Sequence, residues 1–236
     1  MAIQALDVTG FEPGIDVAPP APHAPLAAAA SSTLAQSAAP QFAPVPPPAP
    51  GRSSTPATAI PGPALLAELK RGGYTIFFRH TSTDFSRNDV KSRSDDDCDN
   101  QRPLTDKGSN EARHIGEAMR KLGIPISDVL ASPRCRTVEV AKLAFGEYKL
   151  APEARGGAFT EKPVTRYDGL RALFDKGPGQ SRNTIIVSHG NPFYATAGAP
   201  YLAEGEAAVI KPLGKDFEVI ARVPWDGWAA LATANP

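Results

Sequence analysis

Residues 74–80 read Tyr-Thr-Ile-Phe-Phe-Arg-His, an apolar, β-rich run that ends abruptly in two basic side chains. Five successive strand-forming residues without a polar partner for every second position predict a strand buried on both faces, Tyr74 to Phe78. Such strands belong to parallel sheets covered by helices on each side. A second apolar run, Thr184 to Val187, ends in the same manner, in Ser188-His189-Gly190. Only four histidines occur in the chain. Two of them at the ends of two buried strands point to one shared site.

Outward from these runs, strands alternate with helices. Pro63 suits the first turn of a helix that carries leucines at 65, 66 and 69 and stops at Gly72-Gly73. Thr81 to Arg102 is polar and reads as a long loop. Thr105 with Lys107-Gly108 opens a helix to about Lys121, with Ala112, Ile115, Ala118, Met119 and Leu122 at helical spacing and Gly123 after it. Ser127–Ala131 is a strand, Pro133–Phe145 a helix, Tyr167–Phe174 a helix, and a short helix follows Pro192. Ala207–Ile210 and Phe217–Val223 complete the sheet as an antiparallel edge. The pattern predicts a three-layer α/β/α sandwich with a mostly parallel sheet.

The first 60 residues do not share this pattern. Fourteen of the 25 prolines precede Ala64, and Arg52, Asp7, Glu12 and Asp16 are the only charged residues up to position 60. Proline removes amide donors and favours polyproline II, so 1–62 is expected to be a disordered Ala/Pro-rich arm and 63–236 one domain. Formal net charge is zero, from 25 basic and 25 acidic residues, without a basic run. This disfavours a nucleic-acid partner or an anionic membrane surface. No apolar stretch is long enough for a membrane span. The start lacks the positive region of a secretory signal, although the arm is similar to tethers in exported proteins, and this similarity favours an exported, periplasmic protein over a cytoplasmic one. Cys98 and Cys135 pair in an oxidising compartment and stay thiols in the cytosol, and both readings stand open.

In open α/β sheets the ligand crevice lies beyond the carboxyl ends of the strands. Three strands here end in Arg79-His80, in Ser132-Pro133-Arg134-Cys135-Arg136 and in Ser188-His189-Gly190. Two guanidinium forks and two imidazoles suit a phosphate, whose oxygens arginine matches bidentately. A histidine at a strand end is more often a structural hydrogen-bonding residue than a nucleophile. The adjoining arginine and the repetition on a second strand favour chemistry. His114 falls inside a helix and His23 in the arm, and neither signals a site. The aspartates between Asp95 and Asp99 lack the glycine and spacing of a calcium loop and read as a solvated segment. Two cysteines without C-x-x-C spacing exclude a thiolate zinc site, and no G-x-S-x-G elbow supports a serine hydrolase. No metal and no cofactor is expected.

Taken in order, these motifs resemble those of the histidine phosphatase superfamily, with its phosphoglycerate mutase-like fold. Phe78-Arg79-His80-Thr81 is similar to its R-H-G signature, and Leu104-Thr105-Asp106-Lys107-Gly108 to L-T-x-x-G. Ser132–Thr137 is similar to S-P-x-x-R-T, and Ser188–Gly190 to S-H-G. Thr81 stands where the family has glycine, which favours a phosphatase over a mutase. The resemblance implies His80 as nucleophile forming a phosphohistidine, with Arg79, Arg136 and His189 holding the phosphoryl oxygens. Arg136 is preferred over Arg134 because the family's arginine stands four residues after the serine. Thr83 and Asp84 on the entry loop are candidate substrate contacts. Glu204 and Glu206 flank Gly205 just before a strand; the general acid is assigned to Glu206, which the turn glycine could aim at the pocket, ahead of Asp84, with Glu153 and Glu161 in the segment where many relatives carry it. The implied activity is metal-independent hydrolysis of a phosphomonoester or phosphohistidine, the substrate a phosphorylated small molecule or phosphoprotein. A phosphate-dependent binding module without turnover and a phosphomutase are the alternatives. The oligomeric state is not legible.

Overall fold

The structure, a computed structural model, describes residues 60–156, 167–179 and 181–232. The expected arm therefore lies outside the described residues as far as residue 59. The first helix, α1 (Gly62–Arg71), begins one residue earlier than the expected domain boundary, with Pro63 in its first turn. Ile60 already packs on the core.

The strands are β1 (Thr75–Arg79), β2 (Ile126–Ala131), β3 (Lys149–Leu150), β4 (Asn183–Ser188), β5 (Ala207–Pro212) and β6 (Phe217–Val223). They form one sheet in the order β3-β2-β4-β1-β5-β6. Strands β1 to β4 pair in parallel, and β5 and β6 add an antiparallel edge. Strand β3, two residues long, carries no pattern by which the sequence would reveal it. The other helices are α2 (Asp106–Lys121), α3 (Cys135–Phe145), α4 (Asp168–Lys176) and α5 (Gly190–Ala197).

Side-chain alternation along the central strands builds two cores, one on each face. Ile76, Phe78, Ile185 and Val187 face α1, α2, α3 and the C-terminal Trp228. Phe77 and Ile186 face α4 and α5. Phe77 meets Phe174 and Phe193, with ring centroids 5.7 and 5.3 Å away. Phe78 on the opposite face meets Phe145 and Trp228 at 5.8 and 5.6 Å. The continuous apolar run of β1 follows from this, since each of its faces is an interior. The architecture is the expected three-layer α/β/α sandwich.

Two helix starts fix the ground beneath the site. The Thr105 hydroxyl caps α2 by accepting from the Gly108 amide at 3.0 Å. A Cβ on Gly108 would stand 2.0 Å from the Ser82 carbonyl oxygen, so only glycine lets α2 abut the loop that follows His80. The Thr137 hydroxyl lies 2.7 and 2.6 Å from the carbonyls of Ser132 and Arg134, tying the β2–α3 turn to the first turn of α3.

Candidate active site

Parallel pairing brings three strand ends to one edge. Arg79 lies opposite Ser188, and Ala131 opposite Val187. The ladder continues one bond further: the His80 amide donates to the Ser188 carbonyl, and the Ser132 amide to that of Val187, both at 2.9 Å. His80, Ser132 and His189 thus leave the sheet together. The two imidazoles are buried with centroids 5.4 Å apart.

His80 Nδ1 lies 3.0 Å from the Thr81 carbonyl oxygen. A carbonyl only accepts, so Nδ1 carries the proton and Nε2 keeps its lone pair. Burial, the charges of Arg136 and Arg79 and then that of Arg102 hold the His80 imidazole well below its usual range, against the Thr81 bond. The same sign holds for His189, through burial, Arg136, His80, Arg134 and Arg102. Both rings are neutral at neutral pH, which leaves His80 Nε2 with an unprotonated lone pair. His189 Nε2 is 2.9 Å from the Ser132 hydroxyl, and Gly156 packs so closely that a Cβ there would sit 2.3 Å from His189 Cδ2.

The cations converge from three elements. Arg79 is anchored by Nη1 donating to the Leu202 carbonyl at 2.7 Å, with its guanidinium 5.3 Å from the Tyr201 ring centre. Arg136, in the first turn of α3, pairs through Nη1 with both oxygens of Asp89, at 3.1 and 2.9 Å. Arg102, which was not among the expected site residues, lies against Phe85 at 4.5 Å, and its charge acts on Arg79, Arg136 and both imidazoles. Arg79 Nε, Arg102 Nε, Arg136 Nε and His189 Nδ1 are buried without a hydrogen-bond partner among the described residues. Burying an unsatisfied donor costs about 1–3 kcal/mol, so the three arginine Nε–H groups in one cluster call for a ligand rich in acceptor oxygens.

The carboxylates differ from expectation. Glu206, expected as the general acid, is committed elsewhere: its oxygens take Arg222 Nε and Nη2 at 2.8 and 2.7 Å and the Ala203 amide at 2.7 Å. Residues 206 and 208 share one face of the sheet edge, and Ala208 pairs with Arg222, so alternation directs Glu206 to that arginine. The carboxylate that reaches His80 is Glu204, at 3.7 Å from Nδ1 and 3.5 Å from Arg79 Nη2. Thr83 is buried and engages Glu204 through its amide and hydroxyl, at 3.2 and 2.6 Å, so its contact is with that carboxylate. Asp84 takes the Ser86 amide and hydroxyl on its Oδ1 in a local turn, and no contact joins it to either imidazole among the described residues. Glu153 packs against Gly169, and Glu161 lies outside the described residues. Glu111, buried, holds Ser82 by its amide and hydroxyl at 2.9 Å each and thereby positions the turn after His80.

Cys98 and Cys135 form a disulfide, with Cα atoms 5.6 Å apart. It joins the loop to the first residue of α3, beside Arg136. The Gln101 side chain strengthens the same junction by accepting the Cys135 amide at 3.0 Å. Breaking a cross-link of sequence separation 37 frees the unfolded chain. The Cys98→Ser/Cys135→Ser protein is expected to lose about 3 kcal/mol in urea unfolding under non-reducing conditions. An unchanged midpoint would show that the bridge contributes nothing to stability.

Comparison with known proteins follows this geometry. Residues 75–178 match the family described as the histidine phosphatase superfamily (branch 1), a match that ends before His189. A human relative, ubiquitin-associated and SH3 domain-containing protein A, is 43% identical over 60 residues, 25% of this chain and 9% of its own length. The chain thus spans a small part of that protein. The protein histidine phosphatase SixA, solved with tungstate, is 19% identical with a TM-score of 0.46, covering 64% of this chain and 97% of its own. Phosphoserine phosphatase from Entamoeba histolytica, solved with 3-phosphoglyceric acid, is 12% identical with a TM-score of 0.44, covering 63% and 95%.

Proposed function

We infer, from the histidine phosphatase superfamily domain that residues 75–178 carry, that this protein is a phosphatase that hydrolyses a phosphomonoester by way of a phosphohistidine on His80. The observation that carries the reading is the set of three arginine Nε–H donors, buried and unpartnered among the described residues, beside a neutral imidazole. A phosphoryl group offers oxygens to Arg79, Arg102, Arg136 and His189, and its phosphorus faces a nitrogen lone pair.

In the first displacement His80 Nε2 attacks phosphorus, a P–N bond forms, and the P–O bond to the leaving group breaks. The leaving oxygen takes a proton from solvent as it departs. Water then attacks the phosphohistidine, the P–N bond breaks, and inorganic phosphate and free His80 result. The arginines offset charge on the equatorial oxygens throughout, the electrostatic work on which phosphoryl transfer depends. The Nδ1–H bond to Thr81 and the Glu204 carboxylate beside it stabilise the positive ring as the P–N bond forms. With Glu206 held by Arg222, the proton donor is a different group.

The substrate is a phosphorylated small molecule or a phosphoprotein. Among the described residues no His, Cys, Asp and Glu side chains cluster to hold a metal ion, and the guanidinium groups carry the positive charge the reaction needs. Hydrolysis of p-nitrophenyl phosphate is therefore expected to proceed equally with and without EDTA. Turnover that requires an added divalent cation would refute the reading. The Cys98–Cys135 disulfide supports an oxidising compartment, in keeping with an exported protein.

A further inference from the structure

We propose that Asp89 is a built-in brake on the phosphate site, a carboxylate whose charge on Arg136 opposes the binding of a phosphoryl group to the same guanidinium. The proposal rests on Arg136 being a phosphate ligand. Its observation is the ion pair itself: both Asp89 oxygens contact one guanidinium nitrogen of Arg136, while Arg136 Nε stays buried without a partner. A guanidinium grips an oxyanion best side-on, through two parallel N–H bonds. Asp89 takes an end-on hold and leaves the better grip vacant for a competitor.

Position agrees with this role. Asp89 lies in the 84–102 loop, next to Val90, which is 87% exposed. Arg136 has 9% of its side chain exposed and Asp89 28%, so the carboxylate stands on the solvent side of the fork. Asp89 Oδ1 also accepts the Arg102 amide at 2.7 Å, which links it to a second cation of the site. Burial alone would raise the Asp89 carboxyl. The Arg136 charge and the bonds from the Arg102 amide and Arg136 outweigh it, so the group is ionised at neutral pH. A carboxylate left in place would repel an incoming dianion bound to the same guanidinium.

Glu204 differs, although it too approaches an arginine. It lies on the Nδ1 side of His80, away from the nucleophilic nitrogen, and Thr83 holds it by two hydrogen bonds. It has no reason to move when phosphate binds. The loop itself is fastened independently of Asp89. Arg155 and Arg134 pair with Asp95 at 2.9 and 3.5 Å, and Cys98 is bonded to Cys135. Removing the Asp89 charge therefore leaves the loop in place.

The test is calorimetric titration with inorganic phosphate of the full chain, its Asp89→Asn and Asp89→Ala variants, and Asp95→Asn as a control of equal charge on the same loop. Asparagine keeps an oxygen for the Arg102 amide and removes the charge. Both Asp89 variants are expected to bind phosphate at least about tenfold more tightly, with Asp95→Asn within about threefold of the parent. Unchanged or weaker binding in the Asp89 variants would overturn the proposal, as would equal tightening in Asp95→Asn. A collapse of kcat in Asp89→Asn with phosphate affinity unchanged would also overturn it and make Asp89 a proton-transfer group. No phosphate binding by any of the four proteins would refute Arg136 as a phosphate ligand, and the proposal with it.

Discussion

Replacing His80 with alanine is expected to lower turnover of p-nitrophenyl phosphate by at least roughly 10⁴-fold, with secondary structure retained. The size follows from what is removed. Nε2 is left unprotonated by the Nδ1 bond to Thr81, and the charges of Arg136, Arg79 and Arg102 act on its ring. Without it, water must attack a phosphoryl group that the arginines still bind, and the residual rate is what positioning and electrostatics alone supply. The fold should survive because His80 joins β4 through its backbone amide, which alanine keeps. Circular dichroism and phosphate titration separate the two effects: the variant should retain its spectrum and still bind phosphate. A His80→Ala protein with more than a tenth of the parental rate would remove the nucleophile assignment.

The second large effect is expected at Arg136. Arg136→Ala should lower kcat/KM by roughly a thousandfold, about 4 kcal/mol of transition-state stabilisation, within the range arginines supply to phosphoryl transfer. The guanidinium is nearly buried in the first turn of α3, so its charge acts with little screening. Arg136→Lys is expected to recover no more than about tenfold of the loss, because an ammonium is a point charge without the two-pronged fork. Steady-state kinetics on both variants decide this. Full rescue by lysine would mean that Arg136 supplies charge alone, and a bidentate grip would no longer be needed to explain the site. Removal of Arg136 also leaves Asp89 without its partner, so thermal unfolding belongs beside the kinetics.

Much of this was legible because strand ends carry their signal locally. The two-faced burial of β1 was readable from Tyr74–Phe78, whose side chains now line both cores. Thr105 and Gly108 announced the start of α2, and the structure adds the reason for the glycine, contact with the Ser82 carbonyl. Helix α5 begins at Gly190, ahead of Pro192, since a proline in the first turn gives up no helical bond. What stayed hidden depends on distant partners. Arg102 and Asp89 lie in a stretch without period, held in place by Gln101, by the disulfide and by each other. Glu206 and Glu204 stand two apart, and only the pairing of β5 with β6 shows that Arg222 claims the former. Alternation along the strand held that information, but it needed the register to be read.

The proposed reaction turns on one bond, between phosphorus and His80 Nε2. Its most direct test is to quench the protein in base during turnover of a labelled phosphomonoester and locate the label by peptide mass spectrometry. A phosphoryl group on His80, stable to base and lost in acid, is the expected result, and it should be absent from His80→Ala. Steady turnover with no label on His80, or with label on a serine or another histidine, would contradict covalent catalysis by this residue.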